Sequence, residues 1–437
     1  MQDSILFVAY ATPLVLVWAA FALFRRHRDK AVIAVRSAAL ETGMTEPPSL
    51  HPLIDDQKCI GCAACVTACP EGQILGLING KAQLVEPSSC IGHGACAAAC
   101  PLDAISLVFG TEKRGVDIPH VGADFQTNVP GIYIAGELGG MGLIKNAIEQ
   151  GRQAMDEIRR TIKSATDDTG DMLDTVIIGA GPAGYSASLG AMEHGLRAVT
   201  LEQDSLGGTV SHFPRGKLVM TAPANLPVYG KVRFREVLKE ELLEFWEKVA
   251  ADTGLKINFE EGVETIDPIP GGFCVKTTKG SYLTRTVLLA IGRRGTPRKL
   301  NVPGEELSKV VYRLIDPEQY RGQNVLVVGG GDSALEAAVS IAEEPGTQVT
   351  LSYRSDGFSR AKHKNRLRVE QACSDGNLQL ALSSQVLSIQ PEFVELSSQN
   401  EVNRIKNDVV IVCAGGILPT GFLKSIGISI ETKHGTA

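Results

Sequence analysis

The longest uninterrupted apolar stretch is SILFVAYATPLVLVWAAFALF, residues 4–24, which carries no charge over its 21 positions. A helix of that length spans about 30 Å, the thickness of a bilayer core. Pro13 is tolerable in such a helix, and the charged cluster RRHRDK follows directly. A cleaved secretory leader has its positive charge ahead of the apolar region, so the order here predicts a retained anchor. The positive-inside rule then places residues 25 onward in the cytoplasm. The expectation is a single-pass anchor over 1–28 in the cell inner membrane, with the working part of the chain facing the cytoplasm. Residues 31–52 read as a short amphipathic helix and a loop, TEPPSLHP, within a linker over 29–52.

Farther along, short β-branched runs end in glycine turns and give way to helical patterns. DTVIIGAGPAGYSASLGAMEHGLRAVTLEQ (174–203) reads as strand, turn, helix and strand. Gly179, Gly181 and Gly184 form G-x-G-x-x-G around Pro182 and Ala183, and Glu202 closes the second strand, where a carboxylate can bind a ribose hydroxyl. QNVLVVGGGDSALEAAVSIAEEPGTQVTLSYR (323–354) repeats the unit with Gly329, Gly331, Asp332, Ser333 and Ala334. Its second strand ends without an acid and offers Arg354, with Arg360 nearby, which favours the 2′-phosphate of NADP over NAD. The fold class expected is α/β, with two Rossmann-like dinucleotide-binding domains.

Cysteine adds a third pattern. Of ten cysteines, seven fall in two related stretches, CIGCAACVTACP (59–70) and CIGHGACAAACP (90–101). Cys274, Cys373 and Cys413 are scattered and odd in number, which is metal-site usage in a reducing compartment and no disulfide framework. The run C-x2-C-x2-C-x3-C-P is that of bacterial two-cluster ferredoxins, in which the fourth cysteine serves the other cluster. Carried over, Cys59, Cys62, Cys65 and Cys100 hold cluster one. Cys69, Cys90 and Cys96 hold cluster two, with His93 at the position of its missing cysteine. His93 is open to three readings: an imidazole ligand, a three-iron [3Fe-4S] site that it does not ligate, or a proton carrier beside the cluster. Zinc fits the interleaved spacing less well than two [4Fe-4S] clusters. The expected ferredoxin domain, small and α+β, covers 53–109.

A length of 437 residues implies two or three domains, and 43 basic against 49 acidic residues give no nucleic-acid surface.

The motifs GAGPAG, LEQDSLGGT, LLAIGRRGTPRKLNVPGEE, GGGDSALEAA and VCAGGILPT together resemble the small flavoproteins related to thioredoxin reductase, over nearly all of 172–430. The resemblance implies FAD on the first glycine motif, with Gly207, Gly208, Thr209, Ala290 and Gly292 near the flavin, and NADPH (or NADH) on the second. Thioredoxin reductases have a C-x-x-C pair just before the second motif, whereas VYRLIDPEQYRGQNVLVVGGG has no cysteine. Exchange with a disulfide needs a dithiol, so thioredoxin is not reduced in the family's way. SHFPRGKLVMTAPANLPVYGK is similar instead to the ferredoxin–NADP reductases of the same fold.

Order along the chain also departs from the family. The strand, A-G-D turn and helix that end its members have their counterpart upstream, in VGADFQTNVPGIYIAGELGGMGLIKNAIEQGRQAMDEIRR (121–160). The expectation is a circularly permuted flavoprotein: 110–163 as the displaced end of the FAD domain, 164–171 as a new joint, 172–299 for FAD, 300–418 for NAD(P), and 419–437 returning to the FAD domain. Gly136 and Glu137 would then approach the flavin.

These parts predict an oxidoreductase passing electrons between NAD(P)H, FAD and two iron–sulfur clusters, with no catalytic side chain required beyond the cofactors. The anchor points to a membrane redox partner, such as a cytochrome or quinone-reactive subunit, or to a ferredoxin; the resemblance extends to a homodimer. The competing reading is a non-enzymatic wiring subunit with an idle NAD(P) site.

Overall fold

The structure, a computed structural model, describes residues 2–41, 47, 50–70, 72, 74–90, 92, 94–112, 115–140, 142–164, 172–220, 223–233, 236–359, 361–398 and 401–435. Its contacts divide into two units, one built on residues 1–111 and the other on 112–357 and 361–434.

The first unit begins with one helix, Gln2–Glu41, 40 residues long with Pro13 inside it. The sequence pattern predicts a break after the apolar run; the helix instead continues through RRHRDK, because alanine, leucine, arginine and glutamate dominate 31–41 and Gly43 is the first breaker. Among the described residues no helix is long and apolar enough to cross a membrane. The run 4–24 is the first part of a longer helix that takes in charged residues. The later part packs on the cluster-bearing fold, where Gly76 leaves room for Val32: a Cβ there would lie 2.3 Å from Val32 Cγ1. Arg36 hydrogen-bonds Gln83.

That fold is two strand–loop–helix–strand repeats. The strand His51–Ile54 pairs antiparallel with Ile105–Val108, joining the repeats' outer edges, and Leu75–Ile78 pairs with Lys81–Leu84 in a hairpin between them. One-turn helices, Ala64–Ala68 and Ala95–Ala98, follow the cysteine loops. Their inward faces put Cys65 and Cys96 in one small core with Leu75, Leu77, Ala82 and Ile105.

The second unit is built around two larger sheets, of six and five strands. In the first, Leu173–Ile178 lies parallel between Ala198–Leu201 and Ser281–Leu289, and Gly272–Thr277 and Val263–Ile269 continue it antiparallel. Ile132–Ile134 adds a sixth strand, parallel to Ser281–Leu289 with Val287 opposite Ile132. A 21-residue helix, Ile144–Ser164, then packs on the helix Pro182–Glu193. The contact is close because Gly151 has no side chain: a Cβ would fall 2.0 Å from the Ala183 carbonyl oxygen. Tyr133, Ala154, Met155 and Ile158 share a buried core with Ile177, Ala187 and Leu288. Val116–Pro119 pairs antiparallel with Ile430–Lys433, Pro119 opposite Ile430. The second sheet is wholly parallel, in the order Val310–Val311, Val409–Val412, Asn324–Val328, Gln348–Ser352, Leu378–Ala381.

Candidate cofactor sites

The first glycine turn opens into a cavity of about 1060 Å³. Gly179, with φ of +101°, could not hold a side chain, since its Cβ would stand 2.6 Å from the Ala290 carbonyl oxygen. Gly181 caps the helix Pro182–Glu193, and its missing Cβ leaves open space, with Gly208 Cα the nearest atom at 3.8 Å. Backbone can therefore approach a pyrophosphate at a helix amino end. A second helix start, formed by Gly142, Leu143 and Ile144, lines the same cavity. The buried carboxylate of Glu202 accepts from the Ala180 N–H (2.7 Å) and the Asp204 N–H (3.0 Å), which fixes it at the cavity wall.

Eleven of the thirteen residues predicted for FAD line this space: Gly136, Glu137, Gly179, Gly181, Pro182, Ala183, Glu202, Gly208, Thr209, Ala290 and Gly292. Two do not. Gly184 stands behind the turn, where a Cβ would be 1.8 Å from the Gly179 carbonyl oxygen, so its role is helix-to-strand packing. Gly207 lies against Leu243 and donates its N–H to the Ala180 carbonyl at 3.2 Å. Burial pushes the Glu137 carboxyl up from its ordinary range, and Arg293 opposes this in part. Glycines at every close approach, two helix starts and a fixed carboxylate fit FAD.

The second turn is built alike but stands apart from that cavity. Gly329 abuts the Cys413 carbonyl, with its would-be Cβ 2.4 Å from the oxygen, while nothing lies within 4 Å of the Cβ position at Gly331. Ala334 is fully buried. Asp332 starts the helix Asp332–Ala342 with Ser333 beside it, and its Oδ1 accepts from the Lys362 N–H and from Asn365 Nδ2, both at 2.8 Å. Arg354 is exposed beyond the strand Gln348–Ser352. Arg360 lies outside the described residues.

In the first unit, Cys59, Cys62, Cys65 and Cys100 line one small cavity with Ala82, Ala104 and Ile105. Backbone N–H groups point at sulfur: Ala82 to Cys59 Sγ at 3.5 Å and Ala104 to Cys100 Sγ at 3.3 Å. Gly61, with φ of +70°, lets this loop touch the hairpin, where a Cβ would be 1.9 Å from the Gly80 carbonyl oxygen. Burial pushes the thiols of Cys65 and Cys96 up, and the nearby Cys59 and Cys62, or Cys69 and Cys100, add to it. Cys90 is buried; His93 lies outside the described residues. Among the described residues no three His, Cys, Asp or Glu side chains are grouped tightly enough for a single metal ion. A lone zinc needs all its sulfurs about 2.3 Å from one point, whereas a cubane meets each sulfur with its own iron, and the cysteine-lined cavity fits the latter.

Sequence reasoning assigned no role to His212, Arg294 or Arg313, which also line the large cavity. The cysteine-free stretch before the second glycine motif was the available sign, because Arg313 sits in it.

Two glycine-turn α/β folds and a cysteine-rich double repeat define a dinucleotide-binding oxidoreductase with an iron–sulfur module. The chain belongs to the pyridine nucleotide-disulphide oxidoreductase family, whose profile matches residues 176–436. Residues 51–101 match the 4Fe-4S dicluster domain. A ferredoxin–NADP reductase from Ignicoccus hospitalis is 31% identical over 60% of this chain and 84% of its own length. Bacilliredoxin reductase from Bacillus subtilis is 27% identical over 60% and 82%. A bacillithiol disulfide reductase structure from Staphylococcus aureus superposes with a TM-score of 0.53 at 25% identity, covering 59% of this chain and 80% of the other. The protein is an FAD-dependent NAD(P)H oxidoreductase with iron–sulfur clusters.

Proposed function

We propose that the protein moves electrons between NADPH and a one-electron redox partner, with FAD in the large cavity and clusters in the cysteine loops. FAD, when bound, supplies the conversion between two-electron hydride chemistry and the one-electron chemistry of iron–sulfur clusters. The chain's own residues bind and orient: Gly181 and the two helix starts receive the pyrophosphate and flavin, and Glu202 takes a ribose hydroxyl. Gly331 and Arg354 receive the NADPH phosphates. The carrying observation is that Gly136, Glu137 and Ile144, downstream of the ferredoxin fold in the chain, line one cavity with Gly179, Gly181 and Gly292.

The same observation supports a circularly permuted order, with 110–163 completing the FAD domain, as do the added sixth strand and the pairing of Val116–Pro119 with Ile430–Lys433. Cluster one is assigned to Cys59, Cys62, Cys65 and Cys100, and cluster two to Cys69, Cys90 and Cys96 with His93. For location we propose the inner membrane. Support comes from Val15, Leu16, Val17, Trp18 and Leu23, each more than 60% exposed on the first helix, an unusual display for a chain surrounded by water alone. A membrane redox subunit or a ferredoxin is then the fitting partner.

The test is anaerobic addition of NADPH to the purified protein. Loss of the flavin absorbance followed by the EPR signals of reduced clusters is expected. Unbleached flavin at saturating NADPH would favour the wiring-subunit reading, and bleached flavin with EPR-silent clusters would separate the two modules.

A further inference from the structure

Charge is unevenly spread around the large cavity. Its lining holds four carboxylates, Glu137, Glu202, Asp204 and Glu261, and the group His212, Arg294 and Arg313, of which His212 and Arg294 feel Asp204 as their acid. Arg313 Nη1 is hydrogen-bonded to His212 Nδ1. The opposite ring nitrogen of His212, Nε2, is 3.2 Å from Asp204 Oδ2. His212 is thus strung between an arginine and an aspartate. Arg294 is partly buried and feels Arg313 as a like charge. Among the described residues neither guanidinium is paired with a carboxylate, although their neighbours are: Arg215 pairs with Asp316, and Lys217 with Glu336. Lys239, also felt by His212, spends its ammonium on the Phe213 carbonyl at 2.7 Å.

Two guanidiniums line one cavity, Arg294 half-buried and Arg313 exposed, and repel each other. The one acid near both is already engaged by an imidazole, and Arg313 spends one N–H on His212, so the rest of its fork and that of Arg294 have no carboxylate. Arginine forks match a planar carboxylate or a phosphate face, each taking two parallel hydrogen bonds. The segment of the lining around Arg313, 311–320, holds Tyr312, Ile315 and Tyr320 and no cysteine. Its contribution to the cavity is therefore charge and aromatic surface, with no thiol.

We propose that Arg294, Arg313 and His212 form an oxyanion site inside the flavin cavity, distinct from the second glycine turn, which takes a phosphate or carboxylate group of a bound molecule. Such a group would settle between the two arginines, with the His212 ring at its edge and Asp204 behind the ring. Either the dinucleotide or a separate small organic acid can bring that oxyanion, and the chemistry of recognition is the same. The proposal concerns binding alone and does not depend on the direction of electron flow.

The FAD-loaded full-length protein, labelled with 13C at histidine Cε1, tests it. Inorganic phosphate is titrated against chloride at constant ionic strength, and His212 is assigned through the His212→Gln spectrum. A saturable shift of the His212 resonance is expected, with a rise in its pKa as the anion offsets the arginines. R294Q and R313Q should each weaken phosphate about tenfold or more while keeping flavin absorbance and melting temperature. NADP+ added to the phosphate-bound protein identifies the source: displacement assigns the oxyanion to the dinucleotide, and retention assigns it to a separate acid. The site is overturned if phosphate gives no saturable shift in the loaded protein, if both arginine variants bind as the parent does, or if phosphate binds only once FAD has been stripped.

Discussion

Two glycines three positions apart, Gly181 and Gly184, show how much a single hydrogen in place of a methyl can mean. Gly181 faces open cavity, so Gly181→Ala leaves the fold near its parent stability but places a methyl where a pyrophosphate must approach. Gly184 faces backbone, its Cβ position 1.8 Å from the Gly179 carbonyl oxygen, so Gly184→Ala forces helix and strand apart at a cost of about 1–3 kcal/mol or more. FAD content and thermal melting, measured on both variants, should separate: lost flavin with an unchanged apo-protein melt for the first, a lowered melt for the second. His212 provides a second measurement. Burial, then Arg294 and Arg313, hold its pKa down to about 4, below the ordinary value of about 6.5. The unfolded chain therefore binds the proton more readily than the folded one, and the stability this group contributes is complete above pH 6.5 and lost as pH falls towards 4. Full protonation costs on the order of 3 kcal/mol. Melting curves between pH 7 and 4 should converge for the parent and His212→Gln at neutral pH, apart from the substitution's own offset. The parent should fall more steeply below it.

Among elements, those with a strong local rhythm were readable in advance. The strands Leu173–Ile178 and Asn324–Val328 and their glycine turns lie where β-branched runs meet G-x-G, because turn geometry and close approach leave few residue choices. The first helix was misjudged at its end, since no glycine or proline interrupts 25–41 and the change from apolar to charged composition does not itself stop a helix. His212, Arg294 and Arg313 were illegible for a different reason: they come from three separate loops, and only the tertiary fold brings their charges into one cavity. The strand Ile430–Lys433 carries a prediction of its own. Its partner Val116–Pro119 is the backbone that Arg293 grips, through Arg293 Nη2 to the Asp117 carbonyl at 3.0 Å, and Arg293 neighbours Glu137 in the cavity. Truncation before Ile430 should weaken FAD retention and lower the melt of the flavoprotein unit, while the EPR signals of the clusters persist. Unchanged FAD affinity in the truncated chain would show that the pairing does not support the cavity.

At the scale of the whole molecule, removal of residues 1–28 takes away the exposed Val15–Trp18 and Leu23 surface and leaves each cofactor motif in place. The shortened protein should move from the membrane to the soluble fraction and still reduce artificial acceptors with NADPH. Full-length protein that is soluble without detergent would count against the proposed location.

The antiparallel ribbon that joins Val116–Pro119 to Ile430–Lys433 also sets a timetable for synthesis. Asp117 and Thr432, hydrogen-bonded side chain to side chain, are 315 positions apart. At about 5–20 residues per second, the ribosome takes roughly 15–60 s to deliver the second after the first. The cysteine repeats, all local in sequence, can close early. The helix Ile144–Ser164, with Met155 and Ile158 destined for the core, must wait until Pro182–Glu193 and then Ser281–Leu289 emerge to cover it. Its apolar face is therefore a natural client for chaperones during translation, and slow codons or a stalled ribosome between 164 and 290 would be felt as aggregation long before they were felt as lost activity.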